Sequence, residues 1–203
     1  MNLDPEVSRL LDLMPASARM MTKLVAKPEQ RQVIYTDFPV PWQREKPIYL
    51  NFDLWRRLSK PERDLLLLST VSWVTGIKWF KPDIYQGVVL AGVLGTIVEL
   101  AQSDAVGIVV AGGLTGLAAT QIWRSNRSSQ TWIEADKNAI AIAGRRGYQM
   151  TEAATHLLSA IVATAQLEGR TGLDFVELLR CQNLRAIANI SPVGIPEDRL
   201  KHI

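Results

Sequence analysis

The stretch LSKPERDLLLLSTVSWVTG (residues 58–76) carries a complete helix start, then an apolar run with polar residues set into it. Ser59 is the expected N-cap, Pro61 falls in the first turn and Glu62 completes an S-x-x-E capping box. Leu65, Leu66, Leu68 and Val71 form an apolar face that continues to Trp73. Upstream, QVIYTDF (32–38) and PIYLNF (47–52) have the β-branched and aromatic content of two short strands. Pro28, Pro39, Pro41 and Pro47 argue against helix between them. Residues 4–25 read as helical with a break at Pro15. Downstream, helices are expected over 131–144, closed by Gly144, over 151–168, ended by Gly169, and over 174–188. Residues 191–203 read as an extended tail.

The stretch between these halves is more apolar than the rest. From Ala105 to Trp123 no charge occurs over roughly 19 residues, about the length of a bilayer-spanning helix. Ile84 to Ala101 is similar, with Glu99 near its end. Gly87, Ala91 and Gly95 fall four apart, as do Gly112, Gly116 and Thr120, and each set lines one helical face suited to close helix packing. Trp79, Phe80, Tyr85 and Trp123 flank the runs like interfacial aromatics. Lys78, Lys81, Arg124 and Arg127 sit at the outer ends, and Glu99 and Asp104 mark the turn. The expectation is a transmembrane hairpin over 83–123 with both termini cytoplasmic or stromal. A buried Gly-rich hairpin or a pair of strands is the alternative reading.

Composition bounds the rest. The chain has 203 residues, of which 47% are hydrophobic and 21% charged, enough to build a core. A net charge of +3 without long basic blocks excludes a nucleic-acid signature. Cys181 is the sole cysteine, so no intramolecular disulfide forms. No cleavable signal peptide is expected at the N-terminus. The expected class is mainly α with a small β element (α+β). Residues 1–82 would supply N-terminal helices, the β element and a helix over 60–80. Residues 124–203 would pack with them as one helical domain facing the cytoplasm.

Candidate chemistry is sparse. His156 and His202 are the only histidines, and no His/Cys/carboxylate cluster has metal-ligand spacing. No G-x-S-x-G elbow occurs, and the glycines of GVLGT and GGLTG lack a Walker lysine. No catalytic residue, cofactor or metal is expected. Arg124, Arg127, Arg145 and Arg146 are suited to acidic headgroups or to a solvated face.

The order of parts resembles the HtpX-like branch of membrane zinc metallopeptidases. YLNFDLWRRLSKPERDLLLL stands where that branch leads into its HExxH helix, and TWIEADKNAIAIAGRRGY resembles its E-x-x-A-D helix. Under that resemblance the two histidine ligands fall on Ser69 and Trp73, the catalytic glutamate on Thr70 and the third-ligand glutamate on Trp132. Ala135 and Asp136 are retained. Glu134 is two residues from the ligand position, about 200° around a helix. None of the substituted side chains can hold zinc or activate water. MNLDPEVSRLLDLMPASARM, NFDLWRRLSKPERDLLLL, ATQIWRSNRSSQ and LLRCQNLRAIA are similar to an uncharacterised family of cyanobacteria with chloroplast relatives. That similarity implies a thylakoid or plasma-membrane location.

The functional expectation is a non-catalytic integral membrane protein, an assembly or quality-control factor whose partners are the lipid bilayer and other membrane proteins. The alternatives are a membrane-embedded hydrolase with a non-standard site, testable through His156 and Glu134, and a soluble interaction domain.

Overall fold

The computed structural model describes residues 5–40, 42–77 and 129–190, with isolated positions between 89 and 120. The chain divides into two compact units, Met1–Ile77 with Ser129–Ile203, and Lys78–Ser128. The first unit holds α1 (Pro5–Leu13), α2 (Ala16–Met21), β1 (Thr22–Ala26), β2 (Ile34–Thr36), β3 (Lys46–Leu50), α3 (Phe52–Trp55), α4 (Lys60–Gly76), α5 (Ser129–Gly144), α6 (Met150–Leu167) and α7 (Phe175–Ile187). The α+β reading holds for this unit.

The three strands form one sheet in the order β1-β3-β2. β1 runs parallel to β3, with Leu24 opposite Ile48, and β2 runs antiparallel, with Tyr35 opposite Tyr49. The helical reading of residues 4–25 fails at its end, where residues 22–25 belong to strand β1. The run Thr22–Ala26 includes the β-branched Thr22 and Val25, and β3 offers a ladder in register. Tertiary pairing overrides the weak helical periodicity there. The helix break itself falls at Pro15, as its missing N–H requires.

α4 is the centre of the unit. The capping box at Ser59 forms, with Glu62 Oε2 accepting from the Ser59 N–H at 2.8 Å. Every residue from Asp64 to Val74 is buried. A helix enclosed on all sides has no polar face, which is why its apolar residues run together. Leu66, Leu67 and Val71 meet Leu10, Met14, Ile48, Leu50 and Trp55 on the sheet side. Leu65 and Leu68 meet Ala139, Ile140, Ala154, Leu157 and Leu184 on the helical side. The buried polar residues of α4 must then find partners inside the protein. Asp64 does so by accepting from the Tyr148 hydroxyl at 2.9 Å and pairing with Arg9.

The expected transmembrane hairpin is not supported. Among the described residues no helix is long and apolar enough to cross a membrane. Hydropathy measures how apolar a stretch is, whereas a span also needs one unbroken helix of about 20 residues. Most of 83–123 lies outside the described residues, including Gly87, Gly95 and Gly112. Ala91, Gly116 and Thr120 are helical and exposed. The expected integral-membrane location with cytoplasmic termini rested on the hairpin and loses that support with it.

Candidate functional site

Four positions singled out in the sequence meet in space. Ser69 and Trp73 lie one turn apart on α4, and Trp132 and Asp136 one turn apart on α5. The i, i+4 spacing puts each pair on one helical face. The two faces oppose each other. The Trp73 and Trp132 rings stack at a centroid distance of 4.5 Å and an interplanar angle of 8°. Ser69 Oγ donates to Asp136 Oδ1 at 2.5 Å. Phe38 adds an edge contact to Trp73, with centroids 6.0 Å apart.

Arg180 of α7 completes the cluster. Its Nε donates to Asp136 Oδ2 at 2.8 Å, and its Nη2 donates to Asp136 Oδ1 at 2.8 Å and to Ser69 Oγ at 2.9 Å. The guanidinium carbon lies 4.6 Å from the Trp132 ring centroid, a cation–π contact. Burial alone would lower the Arg180 pKa. The Asp136 charge and hydrogen bonds more than offset that, so the group stays above its ordinary value and charged. Asp136 is wholly buried and is neutralised by this bidentate partner.

Thr70 does not join the network, because its hydroxyl donates back to the Leu66 carbonyl at 2.9 Å. Glu134 is exposed and accepts from Gln130 Nε2 at 3.3 Å. His156 packs edge-on against the Tyr148 ring, with centroids 6.4 Å apart. His202 lies outside the described residues. Among the described residues no group of three His, Cys, Asp or Glu side chains could hold a metal ion.

The tryptophan pair lines a cavity of about 460 Å³. β2 contributes Ile34, Tyr35 and Thr36 to its wall, and Thr70, Thr164 and Arg180 also line it. Trp73 Nε1 and Thr164 Oγ1 are buried and have no hydrogen-bond partner among the described residues. β2 is an edge strand. Asn51 N–H donates to the Val33 carbonyl at 3.1 Å, which makes 33/51 and 35/49 the hydrogen-bonded pairs. By alternation the main-chain groups of Ile34 and Thr36 point away from β3. Among the described residues no strand pairs with that edge.

The rim is charged and internally paired. Gly169, at φ 70°, ends α6 in a Schellman turn, with Arg170 N–H donating to the Ala165 carbonyl at 3.0 Å. That turn aims Glu168 at the sheet, where Oε1 accepts from the Val33 N–H at 2.9 Å. Arg170 bridges Glu168 and a bidentate Glu177, whose two oxygens each lie 2.7 Å away. Burial, opposed by the Val33 N–H and Arg170, holds the Glu168 pKa above its ordinary 4.5. The folded state therefore keeps this proton to higher pH than the unfolded chain. The contribution to stability is fully present below 4.5 and is lost as pH rises through the folded pKa. Glu168→Gln should flatten the fall in stability across that window, read as urea midpoints against pH. An unchanged slope would show that other groups set it.

Arg180 was the residue missed in the sequence. Its signal was an arginine sharing a helical face with Cys181 and Leu184, both buried. A charge on an apolar stripe implies a buried partner.

The chain is similar to the Thylakoid membrane protein slr1949 of Synechocystis sp. (strain ATCC 27184 / PCC 6803 / Kazusa), 28% identical over 119 residues. The match covers 57% of this chain and 56% of that protein, so the chain spans about half the length of the curated relative. No solved structure matches. The family model for Protein of unknown function (DUF3318) matches residues 8–148, which take in the sheet, α4 and the Trp132–Asp136 face, and the chain belongs to that family.

Proposed function

We propose that this protein is a non-catalytic polypeptide-binding module built on a degenerate zinc-peptidase-like core. In this reading it serves an assembly or quality-control step on proteins of photosynthetic membranes. The observation that carries it is the convergence of Ser69, Trp73, Trp132 and Asp136 at one point, beside a cavity bounded by an open strand edge. These are the positions that the peptidase resemblance assigns to metal ligands and their flanking aspartate. Where a cation would sit, Arg180 supplies a fixed positive charge to Asp136. A carboxylate behind a ligand position is the usual support for a metal-binding histidine. Here it supports Ser69 and Arg180 instead. Asp136 and Arg180 spend their hydrogen bonds on each other and on Ser69. What remains is a binding cleft, and an extended segment adding to the β2 edge would lay its side chains over the tryptophan floor. The name of the Synechocystis relative supports the thylakoid setting.

The test is a photocrosslinker placed at Tyr35 in the full chain, expressed in a photosynthetic host. Adducts should map to extended segments of membrane proteins. They should disappear in Ile34→Pro, which removes an edge donor but no β2–β3 ladder bond. Adducts that persist in Ile34→Pro, or peptide hydrolysis by the purified chain, would overturn the reading.

A further inference from the structure

A second cavity, of about 240 Å³, lies on the opposite side of α4. Leu66, Thr70 and Trp73 face the first cavity, and Val71, Ser72, Thr75 and Gly76 face the second. Its other walls are the Pro15–Ala18 segment and α5, where Asn138 and Arg145 lie two turns apart on one side. This cavity takes no part in the cleft described above.

One buried polar group facing it is unpartnered among the described residues. Ser72 is 6% exposed, and its hydroxyl has no partner among the described residues. A buried donor left unmade is costly and calls for a partner. Ser17, Asn138 and Arg145 line the same cavity as exposed side chains and bring further donors. No carboxylate lines the cavity. Thr75 is the exception among the donors, because its hydroxyl already donates to the Val71 carbonyl at 2.7 Å and offers only lone pairs inward.

We propose that this cavity binds a phosphate group, as inorganic phosphate or a phosphate monoester, with Arg145 as its charge partner and Ser72 as its buried donor. Such a group titrates close to neutrality and keeps an O–H for the Thr75 lone pair. Sulfate has no such hydrogen at neutral pH, and neither does the phosphodiester of an anionic lipid headgroup. The donors Ser72, Asn138 and Arg145 address the remaining oxygens.

The experiment titrates the full chain with inorganic phosphate, and separately with sulfate, at constant ionic strength while backbone amide NMR shifts are followed. Phosphate should give saturable shifts at Ser17, Ser72–Gly76 and Asn138–Arg145, and bind more tightly than sulfate. Affinity should fall at least about tenfold in Arg145→Gln and in Ser72→Ala, with no change in the control Arg57→Gln, which is exposed before the opposite end of α4. Ser72→Ala removes an unpartnered hydroxyl, so folding is preserved and the loss reports the site. Unsaturable shifts spread over the basic surface would overturn the proposal. So would equal losses in Arg145→Gln and Arg57→Gln, sulfate binding as tightly as phosphate, or Arg145-dependent binding to phosphatidylglycerol vesicles alone.

Discussion

Asp136→Ala should destabilise the chain by about 3–5 kcal/mol, the range for removing one partner of a buried ion pair. The loss arises because Arg180 stays buried with its positive charge uncompensated, and Ser69 loses its acceptor. Arg180→Met should be similarly costly, since it leaves the wholly buried Asp136 carboxylate without a counter-charge. Combining Asp136→Leu with Arg180→Met and Ser69→Ala removes every polar member together. That triple variant should recover most of the loss, because apolar replacement of a buried pair is often neutral or stabilising. Urea unfolding monitored by circular dichroism gives the comparison. Additive losses in the triple variant would mean that the network is not the coupled unit described here.

The second large effect is expected at the stacked indoles. Trp73→Ala should cost about 3–5 kcal/mol, as for other buried aromatic truncations. Trp73 is enclosed by Trp132 and Phe38, and truncating it would enlarge the cavity beside it. Trp132→Ala should cost less, because that ring is half-buried, although it also strips Arg180 of its cation–π face. A double-mutant cycle between the two should return a coupling of about 0.5–1.5 kcal/mol. Zero coupling would separate the rings in solution and weaken the polypeptide-binding reading, which needs a rigid floor. Neither variant should change the chemistry of the site, because neither indole is asked to react.

Local rules were legible along the chain wherever one residue type has one physical use. Ser59, Pro61 and Glu62 started α4, Pro15 broke the N-terminal helix and Gly169 ended α6, each through backbone geometry or a missing donor. Asp174 capped α7 in the same way, accepting from the Glu177 N–H at 2.7 Å. β1 was not legible, because a five-residue strand depends on the ladder it joins. The hairpin expected over 83–123 is not supported, because among the described residues no helix is long and apolar enough to cross a membrane.

The sequence by itself determined the α+β class of the described unit, the limits of most of its helices and the identity of the side chains at Ser69, Thr70, Trp73 and Trp132. Those follow from short-range stereochemistry and from which atoms each side chain carries. Only the tertiary structure decided what Ser69 and Asp136 pair with. Arg180 is 44 residues from Asp136 and 111 from Ser69 along the chain, and no local pattern joins them. Closing such long loops depends on the packing of α4, α5 and α7 around one core, and a charge becomes a partner only where that packing excludes water.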